Sequence, residues 1–183
     1  MSDREKKATF ADKDVLMIGY AGLAGAVQIA EKKQQELLSR YPLFFIEQAI
    51  LQKVLLQEIP EAATAMMSGV YTMHDMRNGG VFGALYELAK RMGVGLTVDL
   101  KQIPVKQETI EICEFFDLNP YELLSGGSLL IVTANGDKLV EELLEANIFA
   151  AMIGKTTDSN DKVVLNEEEI RFLEPAKVDE IYK

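Results

Sequence analysis

Eight consecutive residues, Met73-His74-Asp75-Met76-Arg77-Asn78-Gly79-Gly80, place an imidazole, a carboxylate, a guanidinium, an amide and two glycines directly before an apolar-periodic run. His74 is the one histidine among 183 residues, so any imidazole chemistry near neutral pH rests on this position. An anion site is one reading. Asn78 would cap a helix, Gly79 and Gly80 would leave amides open where the helix dipole is positive, and Arg77 would add a planar donor for phosphate or carboxylate. His74 or Asp75 would then accept a proton or orient the ligand. The plainer reading is a turn: His74 caps a loop, Arg77 pairs with Asp75 on the surface, and the glycines allow a positive φ. Residue types alone leave both open.

Other groups carry weaker chemistry. Gly19, Gly22 and Gly25 fall between an apolar strand and a helix, where exposed amides favour phosphate. Their spacing is G-x-x-G-x-x-G, which matches neither the dinucleotide fingerprint nor a Walker loop, so close packing and the lining of a cleft are the alternatives. Ser125-Gly126-Gly127-Ser128 reads as a helix end followed by a buried strand. Cys113 is a lone thiol at helical spacing from Ile110 and Phe116. It excludes an intramolecular disulfide and a cysteine zinc site, and it fits a packed core position in a reducing cytoplasm. The run Glu167-Glu168-Glu169 reads as a solvated helix start with no spaced partner for a metal, and no metal site is expected.

Composition narrows the partners. Lysine and arginine number 19 against 29 acids, a net charge of −10, and the basic residues are scattered. Nucleic acid and anionic membranes are therefore disfavoured. The longest weakly polar run, Val15 to Ala30, is shorter than the roughly 20 residues of a membrane helix and is interrupted by glycines and Gln28.

The elements that must position these groups follow from periodicity. Residues 1–13 are charged and are expected to be a flexible segment preceding a domain over 14–183. "DVLMIG" predicts a buried strand, "AGLAGAVQIAEKKQQELLSRY" a helix from about Gly22, and "PLFFIEQAILQKVLLQEI" a helix with Phe45, Ile46, Ala49, Ile50, Val54 and Leu55 facing the core. Pro60 opens another in "PEAATAMMSG". A helix is predicted from about Asn78 to Met92 with Val81, Leu85, Leu88 and Ala89 on one face. Strands follow at "VGLTVDL", "SLLIVT", "IFAAMIG" and "KVVLN", with helices in "IPVKQETIEICEFFDL" and "NGDKLVEELLEAN" and a short helical turn in "PYELLSGG". Strands and helices without strict alternation predict an α+β fold, a mixed sheet with helices on its faces.

"DKDVLMIGYAGLAGAVQIA", "MHDMRNGGVFGALYELAKRMGVGLTVDLKQIPV", "SGGSLLIVT" and "AAMIGKTT", in that order, resemble the C-terminal domain of the aminoimidazole ribonucleotide (AIR) synthase superfamily, nearest its hydrogenase expression/formation branch. The resemblance spans about residues 12–183. It implies a four-stranded mixed sheet flanked by helices, within proteins that are usually two-domain, dimeric and ATP-dependent and that activate an amide or carbamoyl oxygen by phosphorylation. It places His74, Asp75, Arg77, Asn78, Gly79 and Gly80 at a phosphate- or substrate-binding cleft, with Gly22 and Gly25 nearby. The family's ATP and metal ligands lie mostly in an N-terminal half with no counterpart here. ATP and Mg2+ are thus expected only with an ATP-binding partner half, the alternative association being a homo-oligomer. The hydrogenase branch also ends in a carbamoyl-accepting cysteine, whereas this chain ends Ile181-Tyr182-Lys183. A non-catalytic binding or regulatory module that kept the fold is the alternative function.

Overall fold

The computed structural model describes residues 1–56, 69–175 and 177–183. The elements run α1 (Asp3–Phe10), β1 (Asp14–Ile18), α2 (Leu23–Lys32), α3 (Gln34–Leu37), α4 (Leu43–Leu51), β2 (Val70–Met76), α5 (Gly80–Met92) and β3 (Gly95–Asp99). They continue α6 (Gln107–Phe115), β4 (Ser128–Thr133), α7 (Gly136–Glu145), β5 (Ala150–Thr157), β6 (Lys162–Asn166) and β7 (Glu169–Phe172). The helix expected in "PEAATAMMSG" lies almost wholly outside the described residues.

Two apolar strands seed the architecture. In β1, Val15 and Met17 point to one face and Leu16 and Ile18 to the other, and β4 alternates likewise through Leu130 and Val132 against Leu129 and Ile131. A strand buried on both faces needs cover on both. Helix α5 supplies one through Val81, Leu85, Leu88 and Ala89, the predicted stripe, all no more than 1% exposed. Helix α7 supplies the other through Leu139 and Leu143. A third cluster joins α2, α3, α4 and α6 around Ile29, Ile46, Ile112 and Leu123.

The fold is α+β with a mixed sheet, as expected, but among the described residues the sheet has seven strands rather than four, in the order β2-β4-β1-β5-β3-β6-β7. Every pairing is antiparallel except β3 with β6. The two strands absent from the sequence prediction are the sheet's edges. β2 carries polar residues on both faces, and β7 is exposed along its whole length, so neither shows the apolar alternation of a half-buried strand. Edge strands can be polar because only one ladder of backbone bonds holds them.

Other expectations also change. Residues 1–13, expected as a flexible segment, carry α1, which opens on a capping box between Ser2 and Glu5. It is tied to β5 where Thr156 Oγ1 donates to the Phe10 carbonyl at 2.6 Å. Val54 and Leu55, expected in the core, are 63% and 41% exposed, because α4 gives way to a 3-10 turn at Gln52–Leu55 that rotates them outward. "PYELLSGG" forms turns rather than helix. Glu167 takes a φ of +58° in the β6–β7 hairpin turn, so the acidic run is not a helix start.

Candidate functional site

Strand β2 delivers the eight-residue stretch to the start of α5, and in doing so divides it. Its register sets His74 opposite Leu130 and Asp75 opposite Leu129, so these neighbours project to opposite faces of the sheet. His74 and Asp75 therefore stand on a strand, not in a turn. His74 is half-buried against the shaft of α5, where burial first and the Arg91 guanidinium second hold its pKa below the ordinary 6.5, against the opposing pull of Asp75 and Glu87. Arg91 also donates to Thr72 Oγ1 and to the Met73 carbonyl, both at 2.9 Å, clipping the edge strand to the helix. Glu87 lies seven residues into α5 from Gly80, roughly 10 Å along its axis. His74 thus serves the helix shaft, away from the glycine start. On the outer side Arg77 and Asp75 form an exposed ion pair at 3.8 Å. Such a pair contributes about 0–1 kcal/mol.

Asn78 is exposed and does not cap the helix. The cap is Gly79, at φ +83°, followed by Gly80 at +61°, and no side chain caps the helix locally. Two consecutive left-handed residues explain the paired glycines. A Cβ on Gly80 would stand 2.8 Å from the Glu122 carbonyl carbon and the Leu123 carbonyl oxygen, so the turn from Pro120 to Ser125 presses directly on the helix start.

The same turn meets the first glycine group from the other side. Gly22 N donates to Ser125 Oγ at 2.8 Å and Gly25 N to the Leu124 carbonyl at 2.9 Å. A Cβ on Gly22 would meet the Pro120 carbonyl oxygen at 2.7 Å, and one on Gly25 would overlap the Leu123 side chain. Gly22 and Gly25 are buried in contacts within the chain, which is the close-packing alternative. Two glycine groups far apart in sequence therefore converge on one turn, 119–127, which holds the third glycine pair and which Asn119 shapes by accepting from Tyr121 N at 3.0 Å.

The amide of Gly79 donates to Asp179 Oδ2 at 2.7 Å. Beside it opens a cavity of about 260 Å³, with Gly79, Phe82 and Gly83 on one wall and Arg171, Glu174 and Lys177 on the other. Phe82 is fixed by stacking on Tyr121, with ring centroids 5.1 Å apart and planes 13° from parallel. The open backbone of Gly79 and Gly83 beside the Phe82 ring, facing cations and carboxylates, suits a small polar or anionic group. Arg171, Lys177 and Asp179 escaped sequence reasoning because they reach this place from the end of the chain, and no local spacing signals a contact across 100 residues. Cys113 is buried, as expected, and burial pushes its thiol up to about 12. Among the described residues no group of three His, Cys, Asp or Glu is placed to hold a metal, and no helix is long and apolar enough to cross a membrane.

Comparison with known proteins gives this geometry a context. Subunit PurL of phosphoribosylformylglycinamidine synthase from Caldanaerobacter subterraneus subsp. tengcongensis is 26% identical over 164 residues, covering 87% of this chain and 21% of the relative. The structure of a HypE–HypF complex matches with a TM-score of 0.69 at 21% identity, covering 93% of this chain and 55% of that one. Hydrogenase maturation protein HypE in complex with ATP matches with a TM-score of 0.69 at 16% identity, over 96% and 54%. These structural likenesses carry the fold. The chain spans about one fifth of the length of that curated relative and about half of the solved ones. The family described as AIR synthase related protein, C-terminal domain, matches residues 13–166, most of the chain, and the chain belongs to that family.

Proposed function

We propose that this chain is the C-terminal half of an AIR-synthase-like, ATP-dependent protein, and that its α5 start closes a phosphate- or substrate-binding cleft with a separate or deleted ATP-binding half. The observation that carries this is the family match over 13–166 in a chain about half as long as its solved relatives. One of those relatives is a maturation protein solved with ATP and another is solved with a protein partner, HypF. The cavity beside Gly79 supports a polar ligand, and Phe172 and Val178 on its rim, 61% and 74% exposed, support a covering partner.

In this scheme ATP and Mg2+ arrive with the partner half, and this chain contributes the wall that faces substrate or phosphate. Arg171 and Lys177 join Gly79 there, while His74, Asp75 and Arg77, on the helix shaft and the outer surface, do not line this cavity. Maturation of a hydrogenase or another metalloenzyme, in the cytoplasm, is the process to which the HypE likeness points. The test is calorimetry with MgATP on the chain alone and on the chain mixed with an ATP-binding half expressed from the same genome. Saturable binding only in the mixture is expected, and equal binding by the chain alone would refute it.

A second reading, a non-catalytic module acting alone or as a homo-oligomer, is favoured by one observation: the Gly79 amide is already engaged by Asp179. It requires saturable ligand binding by this chain without an ATP-binding half, lost on Arg171→Ala and Lys177→Ala, which line the cavity.

A further inference from the structure

The two edges of the sheet differ in their cover. At β2 the Arg91 guanidinium occupies the Met73 carbonyl and Thr72 Oγ1, both at 2.9 Å, and lays a side chain over that edge. Strand β7 pairs with β6 alone and carries no such cover among the described residues. The direction of its backbone groups follows from the ladder. The Leu173 amide donates to the Lys162 carbonyl at 2.8 Å, and the register sets Arg171 opposite Val164 and Glu169 opposite Asn166. Bonded and non-bonded pairs alternate along an antiparallel ladder, so Glu169, Arg171 and Leu173 turn their amides and carbonyls toward β6, while Ile170 and Phe172 turn theirs outward. Such an open row is a template for another strand.

The side chains decide which strand fits. Ile170 and Phe172, 64% and 61% exposed, share one face. Glu169 and Arg171, both exposed, share the other, opposite in charge and two residues apart. Nearby Glu167 and Glu174 are engaged by Lys101 at 2.7 Å and Lys177 at 2.6 Å, whereas Glu169 and Arg171 have no ion-pair partner among the described residues. Charge on an edge strand normally prevents pairing. Here the order acid, apolar, base is its own complement when read in the opposite direction.

We propose that β7 pairs edge to edge with β7 of a second copy of this chain, antiparallel, about a two-fold axis through Ile170. That axis joins the outward amide and carbonyl of Ile170 in each copy to those of the other. It places Glu169 opposite Arg171 of the second copy, twice, at the non-bonded positions where side chains approach most closely. Ile170 and Phe172 of both copies then form one apolar row. Other axes fail on charge: through Glu169 or Arg171 like charges meet, and through Phe172 neither charge finds a partner. Arg171 belongs to the wall of the cavity beside Gly79, so Glu169 of the second copy adds a carboxylate to that wall. The pairing depends neither on the ligand of the cleft nor on an ATP-binding half. Strands of four residues give an interface below the roughly 1,200 Å² of a standard one, so the dissociation constant is expected at about 10–100 micromolar.

Sedimentation velocity on the full chain at up to about 500 micromolar, well above that constant, tests the pairing. The wild type is expected to dimerise. Glu169→Arg and Arg171→Glu each exchange two attractive pairs for two like-charge pairs and should weaken the dimer at least roughly tenfold. An equimolar mixture of the two variants sets only opposite charges across the axis and should regain wild-type association, as should Glu169→Arg combined with Arg171→Glu in one chain. Both positions are exposed, and circular dichroism checks that each variant is folded. A wild type that stays monomeric, a dimer indifferent to both reversals, or reversals that the mixture does not rescue would overturn the proposal.

Discussion

Gly80→Ala separates a glycine kept for packing from one kept to let a ligand approach. The backbone at Gly80 has φ +61°, where an L side chain costs about 1–2 kcal/mol. The added Cβ would stand 2.8 Å from the Glu122 carbonyl carbon and the Leu123 carbonyl oxygen, atoms that cannot rotate away, and overpacking of that kind costs roughly 1–3 kcal/mol. The sum is about 2–5 kcal/mol, a large share of the roughly 5–15 kcal/mol that holds a domain together. For a chain of this size that is about 4–20 °C in Tm.

Two controls isolate the terms. Gly93→Ala has φ +69° but meets mainly the flexible Lys6 side chain, at 3.0 Å, so it should show the dihedral cost alone, about 1–2 kcal/mol. Gly126→Ala meets only the Ala24 Cβ at 3.8 Å and should stay within about 0.5 kcal/mol of wild type. Urea unfolding followed by far-UV circular dichroism measures all three. A Gly80→Ala cost no larger than that of Gly93→Ala refutes the contact with the 119–127 turn.

His74, the one histidine, gives a single proton resonance to titrate. Its midpoint should fall below 6.5 and rise in Arg91→Ala, and a midpoint at or above 6.5 contradicts its burial against α5. With the folded value depressed, its contribution to stability is present above 6.5 and lost as pH falls through the folded value. Cys113, pushed from 9.0 to about 12, should resist a thiol reagent at pH 8 until urea is added. Its raised value is stabilising below pH 9 and is lost between 9 and 12, so Cys113→Ala should flatten the alkaline fall in stability. Removing the exposed Asp75–Arg77 pair by Arg77→Ala should change unfolding free energy by less than about 1 kcal/mol, and a larger loss would show partners that the 3.8 Å contact does not include.

What could be read from the sequence followed from burial. β1 and β4 announced themselves as apolar runs because both of their faces are covered, and α5 because its stripe meets the sheet at a period of 3.6. β2 and β7 were illegible for the same physical reason: an edge strand keeps polar side chains, and the ladder that defines it is made by backbone. The stretch Met73 to Gly80 looked like one constellation because its residues adjoin in sequence. A strand turns neighbours to opposite faces, so His74 went to the helix shaft, Asp75 and Arg77 to the surface, and Gly79 and Gly80 to the helix start. The residue that completes that start, Asp179, comes from the far end of the chain.

The central proposal, that residues 1–183 form one side of a nucleotide-dependent cleft, is tested most directly by calorimetric titration of MgATP into the isolated chain. On the proposed reading no saturable heat is expected, because the nucleotide site needs an ATP-binding half in addition to residues 1–183. Stoichiometric, tight binding of MgATP by this chain alone would contradict it.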